Sequence, residues 1–133
     1  MSVLHFVKSA AAAVTIAMAL SQSAFAFETK AFDDAAFKAA QAAGKPVVID
    51  VFAPWCSTCK AQHKVLDTLK DKPDYAKLTI FQVDFDKQTD AVKGFGVSKQ
   101  STLIAFNGAK ETARATGTTD AAGIENILAA ASK

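Results

Sequence analysis

The sequence predicts one α/β domain built on a mixed central β-sheet with helices on both faces. Three observations carry that expectation. The chain has 133 residues, a length suited to one small domain. Strand-like apolar runs alternate with helix-spaced apolar patterns, which favours parallel pairs. A hairpin signal near the C-terminal end then adds an antiparallel edge. Half of the residues are hydrophobic and 21% are charged, an ordinary globular mixture. The net charge of +2, with no acidic or basic run, argues against nucleic acid or an anionic membrane as partner.

The elements follow in order. Residues 1–8 contain one cationic side chain, Lys8, and residues 10–20 form an alanine-rich apolar stretch. Ala24-Phe25-Ala26 is a small-x-small cleavage site, so residues 1–26 are expected to be a signal peptide. The apolar stretch falls short of the roughly 20 residues of a membrane span. An uncleaved anchor or an N-terminal helix of the fold is the alternative. No cysteine near the cleavage site suggests a lipid anchor. A mature domain of residues 27–133 would lose Lys8, leaving a net charge of +1. The expected destination is the bacterial periplasm, an oxidising compartment.

Asp33 or Asp34 can cap a helix reaching about Ala43, on which Phe37 and Ala40 share a face with Phe32 and Ala36. Gly44 suits the position just past its end, and Pro46 blocks continuation. Residues 47–52 are β-branched and aromatic, the mark of a strand covered on both faces. A helix carrying Val65, Leu66 and Leu69 follows and stops near residues 71–73. Residues 78–85 read as a strand, 89–95 as a short helix and 102–106 as another strand. Asn107-Gly108 leads into a strand over 110–115. Asp120 caps a last helix with Ile124, Ile127, Leu128 and Ala131 on its buried face. The predicted order is helix, strand, helix, strand, helix, strand, strand, helix.

The two cysteines, Cys56 and Cys59, sit three apart. A bridge between them closes so small a ring that it removes little chain entropy, so their purpose is chemical. They lie between a buried strand and a helix that begins at about Cys56. Free backbone N–H groups and the positive dipole end then favour thiolate over thiol at that sulfur. Lys60 adds a positive charge. Cys56 is the candidate nucleophile. Cys59, one turn further in and expected to be more buried, would resolve a mixed disulfide by attacking Cys56. A structural zinc site usually takes four ligands, and the mature chain offers no second cysteine pair and one histidine, His63.

Three further residues stand out. Asp50 interrupts an apolar strand, where an unpaired carboxylate would be costly and would favour its neutral form. It is a candidate proton acceptor for Cys59, or else a strand-end aspartate bonded to backbone amides. Trp55 is either an apolar plate beside the sulfur that faces a client, or a packing residue. His63 can share a helical face with Cys59 and reads as a solvated helix residue or as a metal or proton site.

Together these residues resemble the thioredoxin family across nearly the whole mature chain. Residues 47–59 look like that family's strand, buried aspartate and Trp-Cys-x-x-Cys loop. Residues 101–106 look like the segment that starts with its cis-proline, and Asn107-Gly108 and Gly117 match its hairpin and last-loop glycine. The resemblance implies a thioredoxin fold, with a central sheet of four to five strands. It also implies a client groove lined by Trp55, the backbone at Gln100-Ser101, and Thr116-Gly117-Thr118. Four departures matter. Ser57-Thr58 replaces the familiar Gly-Pro between the cysteines, and Lys64 replaces a kinking proline. Gln82 stands where a lysine often accompanies the aspartate, so Asp50 is expected to lack a cationic partner. Ser101 stands at the cis-proline position, so Gln100-Ser101 is either cis and strained, or trans with a reshaped groove.

The expected activity is thiol–disulfide exchange on exported protein clients, as a reductase rather than an oxidase. The expected protein is a monomer that needs no cofactor and is served by a membrane electron donor or acceptor. Two other readings compete. One is a copper-handling module using soft Cys56 and Cys59 thiolates with His63 or Ser101. The other is a non-catalytic client-binding module.

Overall fold

A computed structural model describes residues 26–133. The proposed signal peptide therefore lies outside the described residues, apart from Ala26. The elements run β1 (Glu28–Ala31), α1 (Asp34–Ala42), β2 (Pro46–Phe52), α2 (Ser57–Leu69), a 3-10 turn (Pro73–Tyr75), β3 (Thr79–Asp84), α3 (Thr89–Gly94), β4 (Thr102–Asn107), β5 (Lys110–Thr116) and α4 (Ala121–Ser132).

The five strands form one sheet in the order β1-β3-β2-β4-β5. β3 runs parallel to both β1 and β2, while β4 is antiparallel to β2 and to β5. The mixed sheet is as expected, but β1 was not foreseen. All four of its residues are exposed, so Glu28-Thr29-Lys30-Ala31 carries no apolar alternation by which a strand is recognised. Only pairing with β3 makes it one.

Local signals end the helices where chemistry dictates. Asp33 caps α1 by accepting the Ala36 N–H, and Asp120 caps α4 by accepting that of Gly123. Gly44 follows α1 with φ +68°, a left-handed conformation that costs glycine no Cβ clash. The hairpin differs by one residue from its sequence signal. Asn107 pairs with Lys110, so the two loop residues are Gly108 and Ala109, with Gly108 at φ +57°.

Period-two alternation sorts β2 between two cores. Val47, Ile49 and Val51 pack with Phe37 of α1, Val92 of α3, Phe81 and Phe106. Val48 packs on the other side with Leu66 and Leu69 of α2 and with Ile124, Ile127 and Leu128 of α4. Asp50 shares the Val48 side, beneath α2. All the buried positions foreseen for α4 are buried. Leu128 is fully buried, so Leu128→Ala is expected to cost about 2–5 kcal/mol. The denaturant midpoint should fall with little change in slope, and a loss well below 1 kcal/mol would mean that this core is not closed by α4.

Candidate active site

The site is built where β2 hands the chain to α2. Cys56 N–H donates to Ala53 O at 3.1 Å, closing the turn after the strand. Cys56 itself is the N-cap of α2, with extended backbone angles. Its sulfur accepts the backbone N–H of Cys59 at 3.1 Å, and its carbonyl accepts that of Lys60. One of the orphan donors at the helix start is thus aimed at Cys56 Sγ. The two cysteines are joined as a disulfide, with Cα atoms 5.3 Å apart. Cys59 is 1% exposed and Cys56 4%. The expected order holds, but by a small margin: both sulfurs are buried in the oxidised chain.

Trp55 is the opposite case, a large apolar residue 62% exposed. Its indole N–H donates to Asp86 Oδ2 at 2.7 Å. Asp86 is held in turn, because Asp84 Oδ1 accepts the backbone N–H groups of Asp86 and Lys87. Asp86 had no signal in the sequence, since it lies 31 residues from its partner.

The other wall comes from the start of β4 and the end of β5. Gly117 N–H donates to Ser101 O at 2.9 Å, which joins the two loops. Gln62 of α2, completely buried, donates its amide to Ser101 O and to Thr118 O, both at 3.0 Å. Gln62 was missed by sequence reading. It straps the predicted groove residues Ser101 and Thr118 to the helix that carries the dithiol. The choice left open at Gln100-Ser101 is decided: among the described residues no peptide bond is cis, and Ser101 has φ +59°. A left-handed serine costs roughly 1–2 kcal/mol.

Asp50 is completely buried. The expectation of no cationic partner is corrected in part, because its partner His63 is cationic when protonated. His63 Nε2 lies 2.7 Å from Asp50 Oδ2, and Gln82 Nε2 donates to the same oxygen at 3.2 Å. Asp50 Oδ1 is buried and takes no hydrogen bond. His63 is neither wholly solvated nor turned toward sulfur: its side chain is 32% exposed and its ring packs on Phe52. The Asp50 hydrogen bond raises the His63 pKa above 6.5 against the cost of burial, helped by the charges of Asp50 and Asp67. No cluster of three or more metal-ligating side chains converges among the described residues. A cavity of about 640 Å³ between α1 and α3, lined by Phe32, Phe37 and Phe95, lies on the face away from Asp50.

Two outcomes follow. A raised folded-state pKa means that His63 contributes stability fully below its unfolded value of about 6.5 and loses it as pH rises through the folded value. The melting-temperature gap between wild type and His63→Gln should therefore be wider at pH 6 than at pH 9. A gap independent of pH would show that the imidazolium is not what stabilises the pair. Separately, Ser101→Gly should be neutral or stabilising and Ser101→Val destabilising by about 1–3 kcal/mol in chemical unfolding. Equal stabilities would contradict the left-handed geometry.

The family model for Thioredoxin matches residues 28–130. The thioredoxin of Chlamydia muridarum is 39% identical over 74 residues, covering 56% of this chain and 71% of that protein. The protein disulfide-isomerase erp38 of Neurospora crassa is 39% identical over 82 residues, covering 60% of this chain but only 21% of erp38. The crystal structure of Trxlp from Edwardsiella tarda EIB202 superposes with a TM-score of 0.74 at 40% identity, over 76% of this chain and 98% of that one. Malassezia sympodialis thioredoxin, at 24% identity and a TM-score of 0.68, shares the fold. Taken with the strand-loop-helix junction that carries the Cys56–Cys59 disulfide, these matches establish that the chain belongs to the thioredoxin family and is a thiol–disulfide oxidoreductase.

Proposed function

We propose that the protein reduces disulfides in exported protein clients. The observation that carries the reading is the Cys59 N–H aimed at Cys56 Sγ from the first turn of α2. In the reduced chain that donor and the helix dipole stabilise negative charge on Cys56. The Cys56 thiolate attacks a client disulfide, and the displaced client sulfur leaves with the electron pair. Cys59 then gives its proton to Asp50 and attacks Cys56. The Cys56–client bond breaks, the second client sulfur leaves as a thiolate and takes a proton from water, and the Cys56–Cys59 disulfide remains.

Client contact falls to the exposed plate of Trp55 and to the backbone at Gln100, Ser101 and Gly117. The positive φ of Ser101 gives this wall a shape different from that of a cis-proline. Likeness to thioredoxins supports the reducing direction. The pattern of residues 1–26 supports export to the periplasm, where a membrane dithiol donor would return two electrons per cycle.

The test is an insulin-type disulfide reduction assay combined with a glutathione equilibrium. Cys56→Ser should abolish turnover, and Cys59→Ser should accumulate mixed disulfides. A potential near about −270 mV fits a reductase, whereas one near about −120 mV would overturn the direction. Full activity in both cysteine variants would overturn the mechanism.

A further inference from the structure

The carboxylate assigned as proton acceptor is tied to a titratable group rather than to a permanent cation. His63 stands one turn beyond Cys59 on α2, so the two share a helix face, and Asp50 lies beneath that face at 2.7 Å from the imidazole. The two carboxylate oxygens divide the work. Oδ2 holds His63 and Gln82, and Oδ1 is buried without a hydrogen bond. On the outer side, Asp50 and His63 line a cavity of about 220 Å³ with Thr29 beside β3, Gln82 of β3 and Asp67 of α2. Asp50 and Asp67 are the only charged side chains that join His63 in this lining; Thr29 and Gln82, facing it from β1 and β3, are neutral. No lysine or arginine stands among these residues.

We propose that His63 gates the resolving step through Asp50: protonated, it holds the carboxylate in an ion pair, and on releasing its proton through this cavity it leaves Asp50 a stronger base for the Cys59 thiol. The inference rests on the reading of Asp50 as proton acceptor. The balance is simple. Cys59 S–H gives its proton to Oδ1, and its electron pair forms the bond to Cys56. The client sulfur leaves with the electrons of the broken bond and is protonated by water. The proton on Asp50 passes to His63 and then to solvent, so one proton exits per resolution. His63 acts through Asp50 and is a positioning residue, not one that touches the reacting sulfurs. The Asp50 bond holds the imidazolium above its ordinary 6.5, so the gate opens above that pH.

The experiment is single-turnover release of client from the Cys56 mixed disulfide as a function of pH. It is run on the wild type, His63→Gln and Asp50→Asn, alongside an NMR titration of the His63 ring in the wild type. Glutamine can still donate to Asp50 but cannot titrate. In the wild type, the release rate should rise at least about fivefold through the measured His63 midpoint, the lower end of ordinary coupling between two sites. The step should vanish in His63→Gln, and Asp50→Asn should be slow at every pH. A wild-type step that does not coincide with the His63 titration, or an unchanged step in His63→Gln with Asp50→Asn still slow, would overturn the gate and leave Asp50 as the base. An Asp50→Asn variant as fast as the wild type would overturn the underlying assignment instead. The wild-type comparison of rate and titration needs no variant to fold.

Discussion

The whole site depends on one junction, the handover from β2 to α2 at Cys56. A sheet interior holds β2 rigidly, because Val47, Ile49 and Val51 are buried on one side and Val48 and Asp50 on the other. The strand therefore presents Cys56 at a fixed place, and the helix beginning there has backbone donors with no intrahelical partner. One of them meets Cys56 Sγ. That donor and the helix dipole are the physical basis of the proposed Cys56 nucleophile. The helix also carries Cys59, with Gln62 and His63 three and four residues further on, so one element reaches the sulfur, the carbonyls of Ser101 and Thr118 and the buried carboxylate at once.

The residues around that junction shape the surface on which the proposed client contact rests. Trp55 spreads an exposed apolar surface beside it, and the Asp86 hydrogen bond limits the ring's freedom. On the opposite side, Gln62 draws Ser101 and Thr118 toward α2. Ser101 is the conformational exception. A left-handed serine is held in place by the bonds its carbonyl accepts from Gln62 and Gly117, so the local cost is offset by contacts that a free loop would lack. The chain holds this wall together without the proline that the family resemblance would supply.

Much of the architecture was legible from residues alone, and the reasons are specific. Asp33 and Asp120 cap their helices because a short carboxylate reaches an N–H three residues on, a purely local event. The buried stripe of α4 and the doubly covered run of β2 are visible because their periods record what they face. β1 was invisible for the converse reason, since an exposed edge strand leaves no mark on its own composition. The hairpin moved by one residue because Asn107 still belongs to the β4 ladder, opposite Lys110, and the ladder rather than the dipeptide set the turn.

The sequence by itself determined the fold class, the location of the dithiol and the helix that begins at it, since each follows from neighbours a few positions apart. Only the tertiary structure decided what surrounds them. His63 meets Asp50 across 13 residues, Trp55 meets Asp86 across 31, and Gln62 reaches Ser101 and Thr118 across 39 and 56. No local rule specifies such pairs. They arise where sheet register and helix docking bring polar groups out of water together, and a buried polar group must then find its partner among whatever the fold has placed within reach.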